Sequence, residues 1–133
     1  MVCIYCSSPT RITNSRPQKR LRQTWRRHSC TKCGAVFTTT EAVELSGSLV
    51  VRHADGSLQP FSRDKLFISV LRAVGHRQQP LNDASALTIT IIANILHSNT
   101  AAINSAAITK FALTVLQNFD KAAAVQYQAY HKG

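Results

Sequence analysis

The chain has 133 residues, 44% of them hydrophobic and 17% charged. That is enough for one ordinary domain or two small ones, and too apolar for a disordered basic tail. Sixteen Lys and Arg stand against six Asp and Glu, a formal charge of +10, which favours a polyanionic partner: nucleic acid first, an anionic membrane second. The most apolar stretch, residues 86–96, is short and holds Thr88, Thr90 and Asn94, which excludes a transmembrane helix. Polar residues and Arg11 follow the first six positions, with no apolar run of the kind a secretory leader needs. The expectation is a soluble, intracellular protein with no membrane partner.

In chain order the first signal is a pair of cysteines, Cys3-x2-Cys6, answered by Cys30-x2-Cys33 after 23 intervening residues. Two thiolates flanking a tight turn can both face one ion, and two such knuckles complete a tetrahedral site for zinc. Two disulfides would need an oxidising compartment. An iron–sulfur cluster also takes four cysteines, and a single redox pair would leave the other pair idle. The symmetric knuckles favour one Zn ion. With all four positions filled by thiolate there is no place for a catalytic water, so the ion would be structural.

Between the knuckles, from Arg11 to Lys32, lie eight cations and no acid. Residues 10–15 and 22–28 read as two strands of a ribbon with the turn at 16–20, and residues 36–40, rich in Thr and Phe, read as a third. A run so one-sided in charge suits phosphate binding better than solubility alone. Arg16, Lys19, Arg20, Arg22, Arg26 and Arg27 are the candidate nucleic-acid contacts. Trp25 can be read equally as a base-contacting group or as a cap on a small core.

Ser46-Gly47-Ser48 marks the expected boundary: a ribbon over 1–45, a linker over 46–48 and a second domain over 49–133. Residues 49–53 and 58–61 flank Asp55-Gly56 as a β-hairpin. Ser62 can cap a helix carrying Leu66, Phe67, Val70, Leu71 and Val74 and ending at Gly75. Asn82 can cap a second helix with Leu87, Ile91, Ile95 and Leu96. A third is expected over 105–118 and a fourth over 120–131. The fold class is therefore α+β: a small antiparallel four-cysteine ribbon, then a hairpin with four helices. The five histidines show no ligand spacing and are expected at the surface, and no catalytic constellation or glycine-rich phosphate loop is present.

The ribbon motifs, Asn14-Ser15-Arg16-Pro17, Arg26-Arg27 and Cys33-Gly34-x-x-Phe37-Thr38-Thr39-x-Glu41, stand ahead of residues 50–66, VVRHADGSLQPFSRDKL. In that order they resemble the NrdR family, the bacterial transcriptional repressors of ribonucleotide reductase, and the second half is similar to its ATP-cone. The similarity extends over nearly the whole chain. It implies a zinc-dependent ribbon on double-stranded DNA, ATP or dATP as effector, homo-oligomers that depend on the nucleotide, no enzymatic activity, and a cytoplasmic, nucleoid-associated bacterial protein. Where the family pattern has Lys, Arg and Glu, this chain has Arg52, His53 and Gln59, and Ala54 reads as an insertion. Ala124 and Gln126 replace an aromatic and an arginine. On this resemblance Arg52 and Lys65 would face the phosphates, Val51 and Leu66 the base, with His53, Gln59 and Ser62 completing the nucleotide site. Two other functions use parts of the same sequence: an RNA- or ribosome-associated zinc ribbon, or an accessory subunit docking on ribonucleotide reductase through its cone.

Overall fold

The computed structural model describes residues 1–98 and 100–131. The chain divides into two compact units, Met1–Val43 and Glu44–Gly133.

The first unit is a three-stranded antiparallel sheet in the order β1 (Thr10–Gln18), β2 (Gln23–Cys30), β3 (Val36–Ala42). β1 is longer than the sequence suggests. The turn falls at Lys19–Leu21, a 3-10 turn, so Arg16 belongs to the strand, and Arg22, expected on β2, is the left-handed residue (φ 55) that closes the turn. The pairing of β1 with β2 slips by one residue between Ile12 and Asn14, which leaves Thr13 as a bulge. The buried cluster of this unit is Cys3, Cys30 and Phe37, with Ala35 against it. One histidine joins that interior against expectation: His28 is 5% exposed, stacks on Phe37 with centroids 5.1 Å apart, and shares a hydrogen bond with Thr39 Oγ1 at 2.7 Å through Nε2. Its alternation with Cys30 on β2 puts it on the inward face.

The second unit opens with a 3-10 turn over Leu45–Gly47. Leu45 packs against the core, and its carbonyl accepts from the amides of Ser48 and Leu49. The Ser46-Gly47-Ser48 segment is thus held in place. The hairpin follows as β4 (Val50–Arg52) and β5 (Leu58–Pro60), turning at Gly56 with φ 86. Four helices are α1 (Arg63–Ala73), α2 (Pro80–Leu96), α3 (Ser105–Phe119) and α4 (Lys121–Tyr130). Ser62 caps α1, its Oγ accepting from the Lys65 amide at 3.2 Å. α2 starts two residues before the expected cap: Pro80 takes the first turn, where its missing N–H costs nothing, and Asn82 lies inside that turn. A short strand absent from the sequence reading, β6 (Ala102–Asn104), pairs parallel with β4, making a sheet in the order β5-β4-β6. Among the described residues no helix is long and apolar enough to cross a membrane.

The core gathers Val51 and Ile103 from the sheet with Val70, Ile91, Ile95, Leu116 and Tyr127 from the helices. Ala73, Ala84, Ala112 and Ala123 are wholly buried, small side chains that let the helices approach closely. At one end of the bundle a polar hub ties the helix junctions. Asp120 caps α4 by accepting from the amides of Ala122 and Ala123. It also accepts from His76 Nε2 at 2.9 Å and from Arg77 at 3.0 Å. Arg77 reaches Asp83 at 2.7 Å and lies 4.3 Å from the Phe119 ring centroid. His76 and Arg77 hold the Asp120 carboxyl far below the usual carboxylate range.

A group whose folded pKa is depressed contributes stability above its unfolded value of about 3.9, lost as pH falls through that range. Asp120→Asn should keep the cap, lose the ion pairs and lower the melting temperature of the helical unit at pH 7, with Asp120→Ala lower still. The gap between wild type and Asp120→Asn should close as pH drops below 4, measured by circular dichroism.

Candidate functional site

The two cysteine knuckles are built alike. The Cys3 amide donates to Ser8 O and the Cys30 amide to Ala35 O, both at 2.8 Å. The residue after each pair is left-handed, Ser7 at φ 63 and Gly34 at φ 74. This geometry folds the chain around the sulfurs and points amides at them: Tyr5 N–H to Cys3 Sγ at 3.4 Å, and Lys32 and Cys33 N–H to Cys30 Sγ at 3.3 Å. All four sulfurs lie within 4.8 Å of one another, with Cys3–Cys33 at 3.7 Å and Cys6–Cys30 at 3.5 Å.

Those separations are too long for disulfides, whose bonds are about 2.05 Å. They suit one tetrahedral ion with sulfurs about 2.3 Å from it, and are tight for sulfurs distributed over separate irons of a cluster. The electrostatics agree. The Cys33 and Lys32 amides lower Cys30 to about 6. Cys33, although the Ala35 amide favours its thiolate, is pushed up to about 11 by its hydrogen bond with Cys30, by burial and by the Cys3 and Cys6 sulfurs. Four thiolates this close need a cation among them, and a divalent ion supplies it. The donor set fits zinc.

The cations between the knuckles divide by strand alternation. Arg27 pairs with Asn14, Trp25 with Arg16, and Ser29 with Arg11 across β1 and β2, while Thr38 and Thr40 face Arg27 and Trp25 from β3. Residues paired in this way share a face. That outer face carries Arg11, Arg16 and Arg27 around Trp25, whose ring centroid lies 5.5 Å from the Arg27 guanidinium carbon. It carries no acid. Trp25 therefore belongs to the exposed side of the ribbon and is no part of the Cys3–Cys30–Phe37 core. Arg26 faces the other way, with Cys30 and His28, and bonds Glu41 at 3.3 Å. Lys19 and Arg22 line a shallow groove at the ribbon tip, beside Glu41, and Arg20 sits in the same turn. Of the eight cations between the knuckles, Arg11 and Lys32 are outside the six sequence candidates, and Arg11 lies on this outer face.

In the second unit, six of the seven nucleotide-site candidates meet in one cavity of about 210 Å³: Val51, His53 and Gln59 from the hairpin, Ser62, Lys65 and Leu66 from the start of α1. Arg52, on the opposite side of β4 from Val51, lines an adjoining cavity of about 620 Å³ together with Ala54, Asn104 and Ala106. The smaller cavity is largely apolar, with Phe61, Ile108 and Tyr127 also in its lining. It is small for a whole nucleotide, whereas the two together reach the several hundred Å³ of a ligand site. Tyr127, Ile108 and His131 come from α3 and α4, and only tertiary packing brings them to the hairpin. Tyr127 is 2% exposed, and burial pushes its hydroxyl up to about 12. Ala124 is buried in the core and Gln126 is exposed on α4; neither lines these cavities. His53 and Gln59 bond each other across the hairpin at 2.9 Å.

The knuckles lend themselves to a direct test. A Cβ at Gly34 meets no atom within 4 Å, so its φ of 74 is the sole obstacle to a side chain. Gly34→Ala should cost about 1 kcal/mol, or about fivefold in zinc affinity by chelator competition. Ser7→Gly should be neutral or tighter, because it relieves the same strain.

Comparison with known proteins accords with this geometry. Residues 1–41 match the family description "Transcriptional repressor NrdR-like, N-terminal domain" and residues 49–132 match "ATP cone domain". The chain is 32% identical over 132 residues to the transcriptional repressor NrdR of Symbiobacterium thermophilum, covering 99% of this chain and 87% of that protein. It is 31% identical over 133 residues to NrdR of Thermoanaerobacter sp. strain X514, covering 99% and 84%. It is 33% identical over 138 residues to NrdR 3 of Paramagnetospirillum magneticum, covering 99% and 86%. With a four-cysteine zinc ribbon followed by an ATP-cone along nearly its whole length, the chain belongs to the NrdR family of transcriptional repressors, a family of regulators and not of enzymes.

Proposed function

We propose that the zinc-held ribbon binds promoter DNA of ribonucleotide reductase genes through its outer face, and that ATP or dATP in the cone controls this binding through the protein's oligomeric arrangement. The observation that carries the reading is the acid-free face of Arg11, Arg16 and Arg27 around Trp25, joined in one chain to an ATP-cone. Cations without intervening carboxylates neutralise phosphates and release counterions, which gives affinity. An aromatic ring between them can meet a sugar or base edge. Zinc fixes the strands so that this face exists before DNA arrives. Lys19, Arg20 and Arg22 add phosphate contacts at the tip. Because Arg26 and Arg27 face opposite sides, a single docking surface takes one of them, and the Glu41 partner of Arg26 favours Arg27.

In the cone, Lys65 and Arg52 supply fixed charge for phosphates, while Val51, Leu66, Phe61 and Ile108 offer an apolar slot for a base. A nucleotide controls DNA binding only if it binds two protein states unequally, and an assembly of several copies is the natural two-state element. A coupling of about 1–3 kcal/mol would change DNA affinity roughly 5- to 150-fold.

The test is fluorescence anisotropy on duplexes from the organism's ribonucleotide reductase promoters, across a salt series, with no nucleotide, ATP or dATP. Arg16→Ala and Arg27→Ala should each reduce the slope of log K against log salt by roughly one, with Arg26→Ala changing it least. Lys65→Ala should flatten the nucleotide response while the ribbon still binds. Equal affinity for unrelated duplex or for RNA would contradict the repressor reading. DNA affinity and oligomer mass that ignore saturating nucleotide would contradict its regulation.

A further inference from the structure

Strand register decides what the outer face of the ribbon offers beyond charge. The bulge at Thr13 sets Asn14, Arg16 and Gln18 of β1 opposite Arg27, Trp25 and Gln23 of β2. The three β1 residues are exposed, and Gln23 is half-buried. Two of these six side chains are guanidiniums, three are carboxamides and one is an indole. Cations alone would serve phosphates. Carboxamides carry no charge; what they add is a fixed set of hydrogen-bond donors and acceptors.

The glutamines are the most defined part of this set. Gln23 Nε2–H donates to Gln18 Oε1 across the strands. Whichever of the two amides donates, one NH2 group and one carbonyl oxygen of the pair keep capacity for a further partner, and they belong to directly opposed residues. Adenine presents the complement on its major-groove edge, where N7 accepts and the N6 amino group donates. Little competes for the pair. The β3 residue opposite Gln23 is Ala42, and the Glu41 carboxylate beside it is held by Arg26. Pro17 fixes the backbone ahead of Gln18. A bond already made between the two amides also lowers the cost of ordering them on a ligand.

We infer that the outer face of the β1–β2 hairpin reads base edges in the major groove of duplex DNA, with the Gln18–Gln23 pair seated on an adenine. The inference rests on the proposed DNA binding and adds how that surface selects sequence. Adjacent strands lie about 4.8 Å apart, and a two-stranded ribbon enters a major groove about 12 Å wide but not a minor groove about 6 Å wide. The cations suit that seating. Lys19 and Arg20 sit in the turn at one end of the hairpin, and Arg11 pairs with Ser29 toward the knuckles at the other. They meet the phosphates that border the groove, while the carboxamides and Trp25 between them face the bases. Phosphate contacts fix position, and the uncharged groups carry the discrimination.

Base reading and phosphate binding separate in a salt series. The zinc-loaded full chain is titrated by fluorescence anisotropy against a ribonucleotide reductase promoter duplex and an unrelated duplex. Gln18→Met with Gln23→Met keeps side-chain length and removes the hydrogen bonds. This variant should lose roughly 5- to 150-fold of the preference for the promoter, the range of one bidentate base contact, with the slope of log K against log salt unchanged. Replacing promoter adenines by 7-deazaadenine removes only the major-groove N7 acceptor. That substitution should weaken wild-type binding and leave the double variant nearly indifferent. A promoter preference that survives in the double variant, a salt slope that falls with it, or wild-type binding that ignores 7-deazaadenine overturns the base reading and leaves the repressor reading standing. Equal wild-type affinity for both duplexes, or for RNA, overturns both.

Discussion

Everything the ribbon does depends on four thiolates being held within 4.8 Å of one another. Like charges at that distance repel strongly, and the buried apolar residues Cys3, Cys30 and Phe37, with His28 beside them, are far too little core to hold a sheet of nine-, eight- and seven-residue strands against its chain entropy. A structural zinc ion removes the repulsion and contributes on the order of 10–16 kcal/mol, which becomes folding free energy. The eight cations between the knuckles add a second opposing term, self-repulsion along β1, the turn and β2. The metal therefore both closes the loop and holds a cationic face that would otherwise spread apart.

The helical unit solves its stability problem by other means. It has a continuous apolar core and a charged hub at Asp120, placed where α1, α2, α3 and α4 begin or end. The cavities lie among the opposite termini, near the starts of α1 and α3 and the end of α4. The residues that line the cavities are thereby mounted on a bundle pinned at its other end.

The metal site could be read from spacing because two residues between cysteines is a local geometric constraint. The α1 cap at Ser62 was equally legible, and so was Asp120 ahead of α4, because capping chemistry is local. What escaped was whatever depended on distant partners. β6 has three residues and becomes a strand only because β4 offers an edge. Thr13 gives no sign of a bulge, and that bulge decides which cations of β1 share a face with Arg27. Arg26 and Arg27 look equivalent in the sequence, and alternation separates them. Tyr127 and His131 lie more than 60 residues from Val51, and only the packing of α4 brings them to the hairpin. His28 was misread because a ring beside a zinc ligand looks like a surface polar group until Phe37 covers it.

The most direct test of this account is exhaustive chelation of the full chain, followed by backbone amide NMR. Signals from residues 1–43 should collapse to unfolded positions, those from the helical unit should stay where they were, and one equivalent of zinc should restore the ribbon spectrum and DNA binding together. A ribbon that remains ordered without metal, or a helical unit that melts with it, would contradict the account.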